Sequence, residues 1–386
     1  MIPYSRQDID DDDIQAVVEV LRSDYLTQGP VVPAFEKSIT DYCCVNYAVA
    51  VNSATSALHV ACLALGVNKG DIVWTSPITF VASANCALYC GADIDFVDID
   101  SKTYNMSVDC LSEKLQQAEM LGKLPKVVIP VHLCGQPCDM EGIYALSLKY
   151  KFKIIEDASH AIGAKYQKQS VGNCAFSDIT VFSFHPVKII TTGEGGMATT
   201  NDKSIANKMR LFRSHGITRD PLEMQHKPDG SWYYEQVELG FNYRMTDLQA
   251  ALGLSQMQRL DNFVKQRQFI AKKYDELLTI LPVLLPFQLE SSRSAFHLYV
   301  IRLKAKEISK THKEVFEKMR QLGIAVNLHY MPVYHQPYYQ KIGFKRNYCI
   351  EADSYYKEAI SLPIYPALSD MKQIQVVNTL KEALFQ

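Results

Sequence analysis

Three short segments carry the side chains best suited to chemistry, and each of them follows a predicted β-strand. The first is Asn52-Ser53-Ala54-Thr55-Ser56, which lies between the strand-like run YAVAV and a helical period. Its small residues would let backbone N–H groups and hydroxyls converge at a helix N-terminus, where a phosphate is favoured. An ordinary N-cap explains the same residues without any ligand, and taken alone it is the simpler interpretation.

The second segment, Glu156-Asp157-Ala158-Ser159-His160, follows the apolar run FKII at the end of another predicted strand. A carboxylate at a buried strand end is costly unless a cation compensates it, so we expect a positive group beside Asp157. The alternative is that Asp157 only caps the next turn.

The third segment, FSFHPVK, ends at Lys188 and leads into the glycine-rich sequence IITTGEGGMATT. A lysine that is partly removed from water has a lowered pKa and becomes a nucleophile able to form a Schiff base. The alternative is a lysine whose aliphatic stem packs on apolar neighbours while its ammonium group reaches solvent.

Each signal is weak by itself, but the three together meet the requirements for binding pyridoxal phosphate. A helix N-terminus would hold the phosphate, Asp157 would pair with the pyridinium nitrogen, and Lys188 would bond to the aldehyde. A protonated ring nitrogen lets the ring accept the electron pair released when the Cα–H bond of a substrate breaks. The sequence therefore predicts pyridoxal 5′-phosphate as the cofactor, with Lys188 and Asp157 as catalytic residues.

The elements that must position these groups alternate between strand and helix patterns. Strand-like runs such as YAVAV, DIVWTSP, DIDFVDID, KVVIPVH and FKIIEDAS are separated by helical periods. This order is typical of right-handed βαβ units and predicts an α/β fold with a mainly parallel sheet. Functional groups should then lie at the carboxyl ends of the strands.

After residue 245 the regular alternation of predicted strands and helices ends. A long helical stretch that starts at MTDLQAALG is followed by a short strand, HLYVIRL, a helix, HKEVFEKMRQLG, and a terminal helix. We therefore predict a large cofactor-binding domain over residues 1–245. Residues 246–386 would form a linking helix and a smaller C-terminal α/β domain, on which the N-terminal segment could also pack.

The composition fits a packed globular protein. Of 386 residues, 47% are hydrophobic and 21% are charged, which excludes a disordered or low-complexity chain. Lys plus Arg is 40 against 42 for Asp plus Glu, so no overall field favours binding to nucleic acid or to an acidic membrane. The sequence shows neither a signal-peptide pattern nor a membrane-length apolar stretch, which predicts a cytoplasmic protein.

Two features could suggest a metal but have simpler explanations. The aspartates at 10–13 begin a predicted helix, whose positive end favours carboxylates, although they also resemble a cluster for divalent cations. The ten cysteines include the CxxxC pairs Cys86/Cys90 and Cys134/Cys138 but no CxxC knuckle. We predict no metal site and interpret the cysteines as small buried hydrophobes in a reducing compartment.

The motifs resemble, in their order along the chain, those of the DegT/DnrJ/EryC1 sugar aminotransferases of pyridoxal-phosphate fold type I. They are NSATSALH, PITFVASAN, EDASHA, FSFHPVKIITTGEGG, RSHG and GFNYRMTDLQAALG, and the resemblance covers essentially the whole chain. The family implies an aspartate aminotransferase-like large domain with a seven-stranded, mainly parallel sheet between helices. Within the family, LTQGP, SATSALH, RSHGI and the stretch near His329 are most similar to enzymes of pseudaminic acid biosynthesis.

This resemblance implies the reaction and its substrates. L-Glutamate would give up its amino group in the first half of a ping-pong cycle and leave as 2-oxoglutarate. A UDP-linked 4-keto-6-deoxy-N-acetylhexosamine would then accept the amine at C4. Another 4-keto or 3-keto nucleotide sugar is the alternative substrate.

The resemblance also implies roles for single residues near the cofactor. Lys188 matches the lysine that bonds to the aldehyde and moves the proton, Asp157 the partner of the ring nitrogen, and His160 the residue near the phenolic oxygen. Phe80 matches the aromatic residue that stacks on the ring. The alternative is that Phe80 only packs in the hydrophobic core. The implied phosphate ligands are Ala54, Thr55 and Ser183 and, from the other subunit, Asn242. A site shared in this way requires a homodimer.

The matches to substrate-contact regions of the family are looser. They are Tyr4, Asp24, Tyr25, Leu26, Thr27, His329, Tyr330, Pro332 and Tyr339. Tyrosine and histidine can hydrogen-bond sugar hydroxyls while packing on the ring, but a tyrosine-rich segment is also a common domain interface. Arg213, His215 and Arg244 could bind the diphosphate or the donor carboxylate, or could simply face solvent.

Two other functions compete with transamination. A sugar 3-dehydratase of the same family carries histidine in place of the cofactor-binding lysine, but position 188 is lysine and His185 does not fill that position. A non-catalytic regulator that binds the cofactor would not need Lys188, Asp157, Ser183 and Asn242 together. We therefore favour an active aminotransferase.

Overall fold

The structure is a computed structural model that describes residues 1–385. Within this range the α-helices, α1 to α13 in chain order, are Asp11–Leu21, Val31–Cys43, Ala54–Ala64, Ala82–Tyr89, Val108–Met120, Met140–Tyr150, Lys203–Arg213, Asp247–Met257, Leu260–Leu278, His312–Gln321, Pro337–Lys341, Ile350–Glu358 and Asp370–Phe385. The strands, β1 to β17, are Ile2–Pro3, Tyr47–Val51, Ile72–Thr75, Asp93–Phe96, Val127–Ile129, Lys153–Asp157, Lys165–Tyr166, Gln169–Ser170, Ile179–Ser183, Gly196–Thr200, Ile217–Thr218, Glu235–Gln236, Val283–Leu284, Ser292–Arg293, Tyr299–Leu303, Ile324–Ala325 and Ala359–Leu362.

A seven-stranded sheet in the order β2-β10-β9-β6-β5-β3-β4 forms the centre of the molecule. Strand β10 runs antiparallel to both neighbours, and the other six strands point in one direction. Side chains alternate between the two faces, so Val49 and Val51 of β2 belong to one apolar cluster and Ala48 and Ala50 to another. The predicted α/β fold with a mainly parallel sheet between helices is confirmed.

Helices cover both faces of the central sheet. The buried sides of α3, α4 and α7 pack on one face. On the other face lie α2, α8 and the start of α9, and α5 and α6 extend this layer toward the β4 edge. Strands buried on both faces explain why the sequence shows nearly continuous apolar runs rather than clean alternation.

A second, smaller core surrounds the three-stranded sheet β13-β15-β17, with α10, α13 and the later part of α9 packed against it. The N-terminal strand β1 pairs in parallel with β16 in this part of the molecule. Helix α8 packs on α1 and α2, so the chain after residue 246 first adds to the large core. Helix α9 then passes from the large core at Phe263 to the small core at Tyr274.

The long helical stretch predicted after residue 245 is divided into two helices. The chain turns at Gln258 and Arg259 between α8 and α9, which directs the Arg259 side chain toward the start of α1. Its guanidinium lies 3.0 Å from carboxylate oxygens of both Asp8 and Asp10 and also pairs with Asp13. The acidic run that begins α1 therefore has an arginine as its counter-ion.

A metal centre or a membrane span would each require a recognisable arrangement of side chains within residues 1–385. In that range, no group of three or more His, Cys, Asp or Glu side chains is arranged so that it could hold a metal ion. No helix in the same range is both long enough and apolar enough to cross a membrane.

Candidate active site

A cavity of about 1220 Å³ opens at the carboxyl ends of β6 and β9 and at the start of α3. The segment 327–331 and Gln336, which follow β16 of the small core, form the opposite wall. Ten of the residues predicted to act at the site line this cavity together: Tyr4, Ala54, Thr55, Phe80, Asp157, His160, Ser183, Lys188, His329 and Tyr330. The cavity therefore joins the three polar segments that lie far apart in the sequence.

Lys188 lies in the loop after β9, where its backbone N–H donates to the carbonyl of His185 over 2.8 Å. Its side chain is partly exposed, but it faces the cavity rather than the outer surface. Burial lowers the pKa of Lys188 from 10.5 to about 8, although the Asp157 carboxylate acts in the opposite direction. About a tenth of this amine is therefore uncharged at pH 7 and able to act as a nucleophile, far more than at an ordinary lysine.

Asp157 ends β6 and is buried beside the cavity. Its Oδ2 accepts a hydrogen bond from Ser83 Oγ at 2.6 Å, and its Oδ1 accepts one from the backbone N–H of Ser159 at 3.1 Å. The expected cation beside Asp157 is Lys188, whose pKa the carboxylate raises. The two hydrogen bonds orient the carboxylate and leave it acceptor capacity toward the cavity.

Glu156 points to the opposite face of β6 and anchors the strand from behind. Its carboxylate accepts hydrogen bonds from Ser177 Oγ at 2.5 Å, Thr180 Oγ1 at 2.9 Å and His132 Nε2 at 2.7 Å. Because His132 Nδ1 accepts from the backbone N–H of Cys138, the ring proton lies on Nε2. Burial alone would raise the pKa of Glu156, but hydrogen bonds from His132 and the hydroxyls keep it below its usual value.

Three buried histidines, His160, His297 and His329, lie within reach of the Lys188 charge, and His160 and His329 also line the cavity. His160 Nε2 lies 3.2 Å from the Tyr330 hydroxyl, and the His160 ring centroid lies 4.4 Å from that of His297. Burial is the main cause of the lowered pKa at all three histidines, with the Lys188 charge adding to it, and the pKa of His329 falls to about 3. The rings are thus neutral at physiological pH.

The N-terminus of α3 contributes Ser53, Ala54, Thr55 and Ser56 to the cavity lining. Ser53 caps the helix by accepting a hydrogen bond from the backbone N–H of Ser56, so the N-cap interpretation holds for its hydroxyl. The first-turn N–H groups of Ala54 and Thr55 have no intrahelical partner by position and remain for an anion. Gly196 of β10 allows this close packing, because a Cβ there would lie 2.5 Å from the Ser53 carbonyl.

These groups fit pyridoxal phosphate. The helix start can receive the phosphate, the oriented carboxylate of Asp157 can pair with a protonated ring nitrogen, and the Lys188 amine can bond to an aldehyde. His160 Nδ1 is buried and, within residues 1–385, has no hydrogen-bond partner, which leaves one donor or acceptor position unused beside the site.

Several predicted site residues lie outside this cavity. Asp24, Tyr25, Leu26 and Thr27 form an exposed loop, Asn242 is exposed, and neither Pro332 nor Tyr339 lines the cavity wall. The Tyr339 side chain is buried and donates a hydrogen bond to Asn85 Oδ1 at 2.6 Å. Arg213 is engaged by Glu36 and by the carbonyl of Ala50, so it is not available to a diphosphate within its own chain.

Three residues that contribute to the site were not found from the sequence. Ser83 orients Asp157 from α4, His132 supports Glu156 from the neighbouring strand end, and His297 packs on His160. Each is a single polar residue within an apolar run, so no local pattern distinguishes it. Position after a parallel strand was the one available signal, and it applies only to His132.

The comparison with protein families identifies the family to which the chain belongs. The profile of the DegT/DnrJ/EryC1/StrS aminotransferase family matches residues 7–381. The chain belongs to this family. As members use pyridoxal phosphate, the chain is a pyridoxal-phosphate-dependent aminotransferase, and the predicted cofactor and enzyme class are confirmed.

Individual members of the family match over nearly their whole length. The spore coat polysaccharide biosynthesis protein SpsC of Bacillus subtilis is 39% identical over 99% of this chain and 96% of its own. The UDP-4-amino-4,6-dideoxy-N-acetyl-beta-L-altrosamine transaminase of Campylobacter jejuni is 37% identical over 100% of this chain and 97% of its own.

Solved aminotransferase structures superimpose on the same full length. Helicobacter pylori PseC, an aminotransferase of pseudaminic acid biosynthesis, has a TM-score of 0.90 at 31% identity and covers 99% of both chains. The pyridoxal-phosphate form of the putative sugar aminotransferase Spr1654 from Streptococcus pneumoniae has a TM-score of 0.89 at 30% identity, over 99% of this chain and 98% of its own. The predicted fold type is thereby confirmed.

Proposed function

We propose that this aminotransferase moves the amino group of L-glutamate to C4 of a UDP-linked 4-keto-6-deoxy-N-acetylhexosamine, namely UDP-2-acetamido-2,6-dideoxy-L-arabino-hex-4-ulose, in pseudaminic acid biosynthesis. The observation that carries the proposal is one cavity of about 1220 Å³ with Lys188 and Asp157 on one side and Tyr4, His329 and Tyr330 on the other. The full-length similarity to the Campylobacter jejuni transaminase supports this choice of substrate.

The residues of the first wall account for the chemistry. Bound pyridoxal phosphate supplies a ring that accepts the electron pair released when the substrate Cα–H bond breaks. Asp157 holds a proton on the ring nitrogen, and the N–H groups at the start of α3 hold the phosphate in place. Lys188 Nζ, with its pKa near 8, would accept the proton from the substrate Cα and deliver it to C4′, the aldehyde carbon of the cofactor.

The residues of the second wall suit a sugar rather than an amino acid alone. Tyr4 and Tyr330 combine an aromatic face with a hydroxyl, which is the combination that packs on a pyranose ring while hydrogen-bonding its substituents. Phe80 lies at the cavity mouth with its side chain 60% exposed, and its ring centroid is 6.4 Å from that of Tyr330. An aromatic ring exposed at a cavity mouth is available to stack on a bound planar group.

We further propose that the enzyme is a homodimer whose two sites are shared. Asn242 is exposed on the segment after α7 and does not line the cavity of its own chain. This position is the one expected of a residue that contacts the phosphate in the cavity of a second copy. Large apolar side chains on the same segment are exposed to solvent in the single chain: Leu222, Trp232, Tyr234 and Leu239. Burying such a patch against a second copy would stabilise a dimer.

The cysteines support a cytoplasmic location. All ten are free thiols, and six of them are buried. A protein that keeps its thiols unpaired is typical of a reducing compartment, and we therefore propose that the enzyme acts in the cytoplasm.

The substrate assignment is tested with the purified enzyme, L-glutamate and the L-arabino 4-keto sugar, beside its epimer at C5 and a GDP-linked 4-keto sugar. We expect 2-oxoglutarate and an aminated UDP-sugar to form fastest with the L-arabino compound. The Lys188→Ala variant is the negative control. Faster turnover of either competing sugar would reject this substrate while leaving the aminotransferase assignment intact.

Shared sites are tested by mixing two inactive variants. Heterodimers of Lys188→Ala and Asn242→Ala chains should regain activity at one of their two sites, because that site receives Lys188 from one chain and Asn242 from the other. Heterodimers of Lys188→Ala and Asp157→Asn provide the matched control and should stay inactive, since both residues belong to the same cavity. Equal recovery in both mixtures, or none in either, would contradict a trans role for Asn242.

A further inference from the structure

Three side chains on the cavity wall that follows β16 form a connected polar group. They are Asn327, His329 and Ser361, and we refer to them as the His329 group. Asn327 and His329 line the cavity, whereas Ser361 is fully buried on β17 behind them. The backbones of Asn327 and Ser361 exchange two hydrogen bonds, of 3.3 Å and 2.8 Å, which fix the group in place. The transfer of the proton by Lys188 uses neither Asn327 nor Ser361.

Hydrogen bonds determine which ring nitrogen of His329 carries the proton. The backbone N–H of Leu328 donates to Asn327 Oδ1 at 2.8 Å, so the amide of Asn327 directs its Nδ2 toward His329 Nε2, 3.4 Å away. Because Nδ2 can only donate, Nε2 is the unprotonated nitrogen. The proton therefore lies on Nδ1, which donates to Ser361 Oγ at 2.8 Å. Ser361 thus supports the same tautomer from the buried side of the ring.

This tautomer offers the cavity one donor, Asn327 Nδ2, and one acceptor, His329 Nε2. At 3.4 Å their mutual hydrogen bond is long, so shorter bonds to a ligand can replace it. At that spacing a single oxygen atom can lie within hydrogen-bond distance of both nitrogens. It must accept from Nδ2 and donate to Nε2, which a hydroxyl does and a carboxylate or ketone oxygen cannot.

The His329 group lies close to the reacting amine. The His329 ring centroid is 5.1 Å from that of Tyr4 and 5.0 Å from that of Tyr330. Burial and, after it, the charge of Lys188 lower the pKa of His329 to about 3, so the ring stays a neutral acceptor at physiological pH. A hydroxyl bound here is therefore one close to the carbon that receives the amine.

We propose that Asn327 and His329 bind the C3 hydroxyl of the sugar, and that Ser361 is a positioning residue that holds the tautomer of His329. This inference rests on the proposed function. In a UDP-linked 2-acetamido-2,6-dideoxy-4-ulose, C3 carries the one free hydroxyl of the hexose, and C3 is bonded to the reacting C4. The acetamido group does not fit the pair, because the N–H and C=O of a trans amide point in opposite directions.

Sugar specificity is tested by comparing the proposed 4-keto sugar with its 3-deoxy analogue. In the wild-type holoenzyme we expect kcat/KM to be about 10²-fold lower for the 3-deoxy sugar, because the donor and the acceptor are both left unpaired. In Ser361→Ala and in Asn327→Ala this preference for the hydroxyl should shrink by about tenfold. A wild type that does not discriminate, or variants that keep the full preference, would overturn the proposal.

Tyr355→Phe is the matched control for a purely structural effect. The Tyr355 hydroxyl donates to the backbone carbonyl of His329 at 2.6 Å, so its removal loosens the same segment without touching the ring nitrogens. We expect this variant to change kcat/KM for the two sugars by the same factor. A preference for the hydroxyl that falls as far in Tyr355→Phe as in Ser361→Ala would show that Ser361 has only a structural role.

The half-reaction with L-glutamate separates failure of this inference from failure of the proposed function. It is followed without sugar through the absorbance of the cofactor. In Ser361→Ala the half-reaction with the sugar should lose about tenfold more rate than the half-reaction with glutamate, which carries no hydroxyl. Equal losses would reject the C3 assignment alone. An enzyme that reacts with glutamate but aminates neither sugar would reject the proposed function and the C3 assignment with it.

The tautomer is tested directly by NMR of cofactor-free enzyme labelled with ¹⁵N-histidine. The signals of His329 are those that disappear in the His329→Gln variant. At neutral pH we expect a protonated Nδ1 and an unprotonated Nε2, and in Ser361→Ala an increased share of the tautomer that is protonated at Nε2. A wild-type ring protonated at Nε2, or a tautomer that ignores the loss of Ser361, would contradict the role assigned to this serine.

Discussion

Two buried carboxylates, Asp13 and Asp157, meet the same physical problem in different ways. Asp13 lies in the first turn of α1, fully buried, where it pairs with Arg259 and accepts a hydrogen bond from Gln256 Nε2 at 2.6 Å. Asp157 ends β6, equally removed from bulk water, but its hydrogen bonds come from Ser83 and a backbone N–H. Its nearby cation is a lysine rather than an arginine.

The difference teaches which buried charge is structural and which is poised for chemistry. An arginine stays charged at any physiological pH, so the charge on Asp13 is compensated permanently. Lys188 has a pKa near 8 and can lose its charge, which leaves Asp157 a carboxylate with acceptor capacity toward a cavity. A buried carboxylate that lacks a permanent cation and keeps acceptor capacity toward a cavity is therefore a better marker of a ligand site than burial itself.

Asp157→Asn should have the largest effect on turnover, because Asp157 acts in the chemistry and Asp13 does not. An amide cannot hold the ring nitrogen protonated by charge, so we expect turnover to fall by about 10²- to 10³-fold. Cofactor content, measured by absorbance after desalting, should stay near that of the wild type. The surface variant Asp93→Asn is the control. If Asp157→Asn and Asp93→Asn reduced turnover equally, Asp157 would have no special role in the chemistry.

Arg259→Met should affect stability and not chemistry. Removing the guanidinium leaves Asp13 buried without its cation, which we expect to cost about 2 kcal/mol of unfolding free energy, since Arg259 itself is partly exposed. Urea unfolding measures the loss, with the exposed Arg22→Met as the control. Turnover per folded molecule at 25 °C should be unchanged. If Arg259→Met lowered turnover but left the unfolding free energy unchanged, Asp13 would not have the structural role that distinguishes it from Asp157.

The smallest effect is a shift in a pH profile. The lysine amine must be uncharged to capture the cofactor, so the rate of pyridoxal phosphate binding to cofactor-free enzyme should rise with pH and level off above about 8. Asp157 raises the pKa of Lys188, so Asp157→Asn should move the inflection to lower pH. Stopped-flow absorbance measures this rate, and an inflection that stays in place would show that the two groups do not interact.

The sequence predicted the parts of the site that depend on strand ends. Lys188, Asp157 and the start of α3 each follow a strand of a sheet whose alternation with helices was visible, and parallel strands bring their carboxyl ends to one edge. Arg259 was not predicted as the partner of the N-terminal aspartates, because more than two hundred residues separate them and only the turn between α8 and α9 brings them together.

Other parts could not be predicted because they depend on tertiary packing alone. Ser83 reads as an ordinary small helix residue until α4 is placed beside β6. Tyr339 matched a substrate-contact region, yet its hydroxyl is used by Asn85 inside the core. The role of Asn242 stays a prediction, since it concerns a second chain.

Helix α9 has a mechanical consequence for the cavity. Its 19 residues run without a break from the core that carries Lys188 to the core that carries the opposite wall. An unbroken helix resists bending, and its length is fixed at about 1.5 Å per residue. Helix α9 therefore joins the two cores through an element of fixed length, so any change in the gap between the two walls requires rotation of one core about an end of this helix or movement of side chains and loops.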